Sequence, residues 1–193
     1  MKIDQLFSVA GKTVVVTGGS RGIGEMIARA LVENGAQVII TSRKAADCDA
    51  LAAELGPACT AIAADLSQMA EIERFAGEVA RRFPKLDVLF NNAGASWGAS
   101  IDDFPELGWD KVMDLNVKSV FFLTQKLLPQ LAAAASPEAN AKVINIGSID
   151  GQHVSDLETY SYAASKAGVL HMTRMMAKFL GPRHIAVNAI AHG

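Results

Sequence analysis

The chain has 193 residues, of which half are hydrophobic and a fifth are charged. That composition is typical of one soluble globular domain, here expected over residues 1–193. The formal net charge of −2 excludes the strongly basic surface that attracts nucleic acid or an anionic membrane, so we expect neither partner. Residues 1–7 lack the apolar core of a signal peptide, and no apolar run approaches the length of a membrane span. The expected location is cytoplasmic.

The sequence offers no ligand set for a metal ion. Its two cysteines, Cys48 and Cys59, do not form a CxxC pair, and none of the four histidines stands at a ligand spacing. We therefore expect no metal site. The cysteines are predicted to be buried or idle thiols in a reducing compartment.

Short β-branched or aliphatic runs alternate with longer segments of helical period, which favours βα units around a parallel sheet. The predicted strands are Thr13–Thr17, Gln37–Thr41, Thr60–Ala64, Leu86–Phe90, Lys142–Gly147 and Ile185–Ile190. The predicted helices lie near residues 22–34, 45–55, 68–82, 109–132 and 160–180. Asp65 and Ser67 are expected to supply turn and cap chemistry before the third helix. Pro129 is expected to bend the fourth or end it early.

With right-handed crossovers, these elements give an α/β fold: a doubly wound parallel sheet of the Rossmann type, with strand order 3-2-1-4-5-6. Ligands of such a sheet bind at the carboxyl ends of its strands. The segments that follow the strands are therefore the candidates for function.

A glycine-rich turn, Thr17-Gly18-Gly19-Ser20-Arg21-Gly22-Ile23-Gly24, directly follows the first predicted strand. Gly18 allows a sharp turn, Gly22 allows a pyrophosphate to approach the backbone, and Gly24 allows close helix packing. The next helix offers free N–H groups and the positive end of its dipole to a phosphate. The spacing is TGxxxGxG rather than GxGxxG, and a glycine-rich stretch can be an ordinary turn. Its position between a strand and a helix favours a dinucleotide site.

The end of the second predicted strand indicates which dinucleotide binds. It reads Thr41-Ser42-Arg43-Lys44, with no acid before Asp47. An NAD enzyme usually has Asp or Glu here, whereas a cation suits the 2′-phosphate of NADP. Arg21 could reach the same phosphate from the glycine turn. Arg43 and Lys44 could instead be a solvated helix start, but two cations without a carboxylate favour NADP(H).

Tyr162 and Lys166 lie one helical turn apart, so both side chains are expected on one face of the last predicted helix. A nearby ammonium stabilises a phenolate, which makes the tyrosine usable as a general acid or base. Ser148 follows the fifth strand, where its hydroxyl could bond a substrate oxygen. A YxxxK pattern alone is common in helices; with this serine and the glycine turn it predicts catalysis. Tyr160 has no lysine partner because residue 164 is alanine.

Two asparagine sites add to this picture. Asn91-Asn92-Ala93-Gly94 follows the fourth predicted strand at another ligand-facing end, although it could be an ordinary Asn/Gly turn. Asn116 lies inside the predicted helix over residues 109–132, where asparagine is a mediocre helix former. Its side chain is expected either to bond a water or carbonyl or to be solvated, and the spacing leaves both open.

With these motifs in this order, the chain resembles the short-chain dehydrogenase/reductase family over essentially its whole length. The resemblance implies a catalytic tetrad of Asn116, Ser148, Tyr162 and Lys166, in which Lys166 also binds the nicotinamide ribose and Asn116 holds a water of a proton relay. It also implies an adenine contact at Asp65. The predicted cofactor-binding residues are Gly18, Ser20, Arg21, Gly22, Ile23, Gly24, Arg43, Asp65, Leu66, Asn92, Ala93, Gly94, Tyr162 and Lys166.

Within the family, residues 91–98 and 143–148 most resemble the 3-oxoacyl-[acyl-carrier-protein] reductases, particularly the rhamnolipid-associated type. This implies an NADPH-dependent reductase of a small-molecule carbonyl, with a 3-oxoacyl thioester, linked to the carrier protein, as the favoured substrate. The alternatives are an alcohol or sugar dehydrogenase and a truncated, non-catalytic dinucleotide-binding chain. The family pattern continues beyond the sixth strand, and His192 stands where that pattern has proline. A C-terminally incomplete domain without the seventh strand is therefore expected, as is a homodimer or homotetramer for the full-length form.

Overall fold

The sheet contains six strands over residues 7–193, the part of the chain that the computed structural model describes. They are β1 (Thr13–Thr17), β2 (Gln37–Thr41), β3 (Cys59–Ala61), β4 (Val88–Asn91), β5 (Ala141–Ile146) and β6 (Ile185–Ile190). All neighbours pair in parallel, in the order β3-β2-β1-β4-β5-β6. The predicted doubly wound sheet and its strand order are confirmed.

The α-helices are α1 (Gly22–Glu33), α2 (Ala45–Leu55), α3 (Met69–Arg82), α4 (Glu106–Met113), α5 (Ser119–Ala134) and α6 (Tyr160–Leu180). They cover both faces of the sheet, because successive residues of a strand point to opposite sides. Val15 belongs to the core that includes α3 and α5 side chains, whereas Val14 and Val16 belong to the core that includes α1 and α2 side chains. Strands buried on both faces need continuous apolar runs, which explains the pattern in the sequence.

Several predicted boundaries differ from the structure by one to three residues. β3 ends at Ala61 rather than Ala64, and β4 begins at Val88 rather than Leu86. The helix that contains Pro129 continues to Ala134, so the expectation of an early end is wrong. Leu127 and Leu131 are fully buried on either side of the proline. Their packing offsets the one backbone hydrogen bond that a proline cannot donate.

The chain between α4 and α5 forms one π-helical turn, Asp114–Lys118. The single helix predicted over residues 109–132 is therefore two α-helices joined by a wider turn. Such turns widen the backbone spiral and recur at functional sites. Asn116 lies in this turn and is 2% exposed, so the hypothesis of a solvated position is wrong.

The turn before α3 is built by an aspartate. Asp65 Oδ1 accepts hydrogen bonds from the Ser67 backbone N–H at 3.1 Å and from Ser67 Oγ at 2.8 Å. This confirms the predicted turn chemistry. The predicted cap is wrong, because α3 begins at Met69 after Gln68, whose side chain makes no capping bond.

Both cysteines are buried and free, as predicted. Burial raises the pKa of the Cys59 thiol to about 11, so this side chain stays protonated at neutral pH and is a poor nucleophile. Among residues 7–193, none of the helices combines the length and the apolar character that a membrane crossing requires.

Candidate active site

A cleft of about 640 Å³ runs across the carboxyl ends of the central strands, where the fold predicts a ligand. Its wall brings together most of the residues predicted from the sequence. These are Gly18, Ser20, Arg21, Gly22, Ile23, Arg43, Leu66, Asn92, Ala93, Gly94, Tyr162 and Lys166. One groove therefore joins the glycine turn to the Tyr–Lys pair.

The glycine turn requires glycine for two reasons, its backbone angles and its close packing, and it also leaves space for a ligand. Gly18 and Gly22 have φ angles of +63° and +56°, which L side chains rarely adopt. A Cβ added at Gly22 would meet nothing within 4 Å, so the backbone there is open to a ligand. A Cβ added at Gly24 would collide with the Gly18 carbonyl oxygen and lie 2.5 Å from Asn92 Nδ2. The start of α1 is thus packed directly against the turn.

Thr17 and Asn92 tie this turn to the loop after β4. Asn92 Nδ2 donates to the carbonyl oxygens of Thr17 at 2.8 Å and Gly18 at 3.3 Å. Thr17 Oγ1 accepts from the backbone N–H groups of Asn92 and Ala93, both at 2.9 Å. The two loops therefore form one rigid floor of the cleft. Thr17 is the first residue of the glycine-rich motif, so the sequence pointed to it. The hydrogen bonds by which it connects the two loops could not be predicted from the sequence.

The far end of the cleft carries hydroxyl and guanidinium groups. Ser20 Oγ donates to Ser42 Oγ at 2.9 Å, and both serines line the cleft with Arg21 and Arg43. Lys44 does not line it, and its side chain is 77% exposed. Of the two cations that follow β2, only Arg43 is placed to meet a ligand.

At the other end, α6 presents the Tyr–Lys pair. Lys166 is 6% exposed, and its Nζ donates to the Ile146 carbonyl oxygen at 2.7 Å. The same nitrogen lies 5.5 Å from the centre of the Tyr162 ring. Burial lowers the pKa of Lys166 to about 8. The group is still mainly charged at neutral pH, so a cation stands beside a phenol, as the spacing predicted.

Asn116 is bound to protein atoms on all sides. Its Oδ1 accepts from the Ala95 backbone N–H at 2.8 Å, and its Nδ2 donates to the Ala95 carbonyl oxygen at 2.9 Å. Nδ2 also donates to Ser165 Oγ at 2.9 Å. This answers the question that the spacing left open: the side chain bonds a carbonyl.

Four of the predicted residues do not line the cleft: Gly24, Asp65, Asn116 and Ser148. Asp65 bonds Ser67 instead, and its neighbour Leu66 forms the wall. Ser148 is 5% exposed, and its Oγ accepts from the Asp150 backbone N–H at 3.3 Å.

Several residues in the wall of the cleft were not among the predicted site residues. They are Thr41, Ser42, Ala64, Ala95, Ser96, Leu115, Ile146, Asp150, Leu157, Thr159 and His192. Most of them lie at the carboxyl end of a strand or within the five residues after it, and that position is the signal by which they could have been found.

Tyr160 lies apart from the Tyr–Lys pair, as expected from the lack of a lysine partner. Its hydroxyl donates to Glu158 Oε1 at 2.8 Å, and that bond raises the pKa of the Tyr160 phenol. The ring lines a second, shallower cleft with Phe104 and Trp109.

Several known proteins are similar to this chain in sequence or in fold. A rhamnolipids biosynthesis 3-oxoacyl-[acyl-carrier-protein] reductase of Pseudomonas aeruginosa is 49% identical over 97% of this chain and 74% of its own length. An NAD-dependent glycerol dehydrogenase of Listeria innocua is 34% identical over 97% of this chain and 72% of its own length. The solved Pseudomonas aeruginosa RhlG/NADP active-site complex has a TM-score of 0.92 and 49% identity, over 96% of this chain and 73% of that one.

A family model described as short chain dehydrogenase matches residues 12–193, nearly the whole chain. The match includes the glycine turn, the loop after β4 and the Tyr–Lys pair of α6. The family expected from the sequence motifs is thereby confirmed. The chain belongs to the short chain dehydrogenase family.

Proposed function

We propose that the chain is an NADPH-dependent reductase that converts a 3-oxoacyl thioester to the hydroxyacyl product, with Tyr162 as the general acid. One observation carries this proposal: a single cleft holds an open glycine turn with two arginines at one end and the Tyr162–Lys166 pair at the other. The first half suits a phosphorylated dinucleotide, and the second suits proton transfer to a carbonyl oxygen.

The residues around the glycine turn fit NADP(H). The free space at Gly22 leaves room for a pyrophosphate against the backbone and the start of α1. Arg21 and Arg43 supply positive charge for the 2′-phosphate, and the hydrogen-bonded Ser20–Ser42 pair lines the same cleft. NADPH, when bound, supplies the hydride that reaches the carbonyl carbon.

Side chains of the protein supply the proton that the substrate oxygen receives. Tyr162 donates its phenolic proton to the substrate oxygen, and the Lys166 ammonium beside it stabilises the phenolate that remains. Within the described residues Ser148 Oγ accepts a hydrogen bond but donates none. Its proton is therefore not committed to a protein acceptor. Although Ser148 does not itself line the cleft, it lies two residues before Asp150, which does, and we assign it the task of holding the carbonyl oxygen.

The proposed substrate class is supported by the 49% identity to the rhamnolipid reductase named above. We extend the proposal to a carrier-protein-linked acyl group, a homodimeric or homotetrameric assembly and a cytoplasmic location. The glycerol dehydrogenase at 34% identity supports an alcohol dehydrogenase as the second candidate. The arginine after β2, where an NAD enzyme usually has an acid, favours the reductase.

Turnover followed at the absorbance band of reduced nicotinamide tests the proposal. The purified chain is given NADPH or NADH with 3-oxoacyl thioesters, free and carrier-linked, and NADP⁺ or NAD⁺ with glycerol and sugar alcohols. We expect oxidation of NADPH with the thioesters to be the fastest reaction. Faster oxidation of a polyol with NAD⁺ would establish the second candidate. Tight NADPH binding without any turnover would establish the non-catalytic alternative.

A further inference from the structure

Ser165 stands between Tyr162 and Lys166 in the sequence, and its hydroxyl joins two elements of the site. The residue is fully buried. Its Oγ accepts a hydrogen bond from Asn116 Nδ2 at 2.9 Å and donates one to the Tyr162 carbonyl oxygen at 2.7 Å. A serine that bonds the carbonyl three residues earlier is common in helices. The second bond, to a side chain 49 residues away, is what distinguishes this one.

The donor and the acceptor of each hydrogen bond in this series follow from the chemistry of the groups. The Ala95 backbone N–H can only donate, so the atom of Asn116 that faces it at 2.8 Å is the carbonyl oxygen. The remaining atom is the amide nitrogen, which can only donate, and Ser165 Oγ must accept from it. The single proton of the serine hydroxyl is then left for the Tyr162 carbonyl oxygen.

The result is a continuous series of hydrogen bonds that connects the loop after β4, through Asn116 and Ser165, to the first turns of α6. Ala95 lines the cleft, and so does Tyr162. Lys166 is independently fixed by its bond to Ile146, so a shift of the Tyr162 turn would change the separation between phenol and ammonium. We infer that Ser165 is a positioning residue that holds Tyr162 in register with Lys166 and with the loop after β4.

Alanine is the appropriate probe for this hydroxyl. It is a better helix former than serine, so Ser165→Ala does not weaken α6 through its intrinsic propensity. It leaves an Asn116 N–H buried without an acceptor and frees the Tyr162 turn from the loop. Ser165→Thr keeps the hydroxyl on the same carbon, and threonine in a helix can make the same bond to a carbonyl of the preceding turn.

The control lies in the same helix. Ser161 is also fully buried, and in the described part of the chain its Oγ has no hydrogen-bond partner. Ser161→Ala therefore removes a buried hydroxyl next to Tyr162 without breaking a bond. Asp150 and His192, the other titratable side chains that line the cleft near this end, are unchanged in every variant.

The test reads Tyr162 directly and needs no turnover. The chain has two tyrosines, so in a Tyr160→Phe background 3-fluorotyrosine labelling gives one fluorine resonance, from the Tyr162 ring, whose chemical shift reports the groups around that ring. We expect Ser165→Ala to shift that resonance or to split it into two or more, because the Tyr162 turn is no longer held against the Asn116 amide. Ser161→Ala should leave a single resonance at the parent position, and Ser165→Thr should restore it.

A kinetic readout rests on the proposed function. If the chain reduces 3-oxoacyl thioesters, Ser165→Ala should lower kcat by roughly 10- to 100-fold while the Kd of NADPH stays within about 2-fold. Absence of turnover in the parent chain would defeat the proposed function and leave the fluorine-resonance test intact. The same single resonance position for Ser165→Ala and Ser161→Ala would overturn the inference about Ser165. If the alanine variant does not fold, Ser165→Cys, with a similar volume and weaker hydrogen bonds, takes its place under the same criterion.

Discussion

Lys166 on α6 donates a hydrogen bond from Nζ to the carbonyl oxygen of Ile146 on β5, at 2.7 Å. This bond fixes an ammonium group that is almost completely removed from water. Because the nearest acceptor is a neutral carbonyl rather than a carboxylate, burial is not compensated by an opposite charge, and the pKa of Lys166 falls to about 8. The proposed chemistry requires Lys166 to be charged, and burying that charge lowers the free energy of unfolding of the chain.

That cost predicts how stability changes with pH. The pKa of Lys166 lies near 8 in the folded chain and at the ordinary value of 10.5 in the unfolded one. Between these values the unfolded chain binds a proton that the folded chain has released, so this group makes the folded chain more stable as pH rises. The full effect is about 3 kcal/mol as an upper bound.

Lys166→Met isolates this effect, because methionine has a similar length and does not titrate. Chemical denaturation of both proteins at several pH values between 7 and 10.5 gives the difference in unfolding free energy. The wild-type chain should gain stability relative to Lys166→Met as pH rises. A difference that stays constant over that range would contradict the low lysine pKa.

Tyr162→Phe should abolish carbonyl reduction and leave NADPH binding nearly unchanged. The substitution keeps the ring beside Lys166 and removes only the group that donates the proton. Steady-state kinetics with a 3-oxoacyl thioester and a fluorescence titration of NADPH measure the two effects. Tyr160→Phe is the matched control and should retain activity, since that hydroxyl bonds Glu158 outside the cleft. Turnover in Tyr162→Phe would place the general acid elsewhere.

Arg43→Asp should weaken NADPH binding selectively, by about 1–3 kcal/mol, and affect NADH much less. Arg43 lines the cleft where the 2′-phosphate is expected, and a carboxylate there would repel it. Lys44→Asp makes the same change of charge one residue later, on a side chain that is 77% exposed and outside the cleft. Calorimetric titration of both cofactors compares the two variants. Equal losses for NADPH and NADH in Arg43→Asp would show that Arg43 does not contact the phosphate.

The pattern of apolar and polar residues was sufficient to predict several strands and the face of α6 that carries the Tyr–Lys pair. The bounds of β1, β2 and β6 agree with those predicted because each is a short run in which most residues are apolar. The position of Tyr162 and Lys166 on one face followed from helical periodicity alone. The effect of Pro129 could not be predicted in this way, since α5 is stabilised by packing against residues that are distant in the sequence.

The hydrogen bonds of the site could not be predicted from the sequence either, because they also join residues that are distant in the sequence. Asn116 lies in a π-helical turn and bonds Ala95 and Ser165, which are 21 and 49 residues away in the sequence. No periodicity marks such a turn. Asp65 has the residue type expected at an adenine, but its carboxylate bonds Ser67, and that orientation depends on the turn geometry. The sequence was sufficient to select candidate residues by type and position. Their hydrogen-bond partners could be identified only from the folded structure.

Gly24→Ala should destabilise the fold and weaken NADPH binding together. A Cβ at this position collides with the Gly18 carbonyl oxygen and with Asn92 Nδ2, atoms that belong to the braced floor of the cleft. Neither is the free end of a flexible side chain, so α1 or the glycine turn must move. Overpacking of this kind costs about 1–3 kcal/mol.

Gly77→Ala on α3 provides the opposite case. A Cβ there meets nothing within 4 Å, and replacing glycine with alanine inside a helix stabilises it by about 0.5–1 kcal/mol. Denaturation midpoints and NADPH titrations of both variants complete the comparison. Gly77→Ala should melt at or above the wild-type temperature with unchanged NADPH affinity, whereas Gly24→Ala should lose both stability and affinity. If Gly24→Ala matched Gly77→Ala in both measurements, the contact between α1 and the glycine turn would not be what requires glycine at position 24.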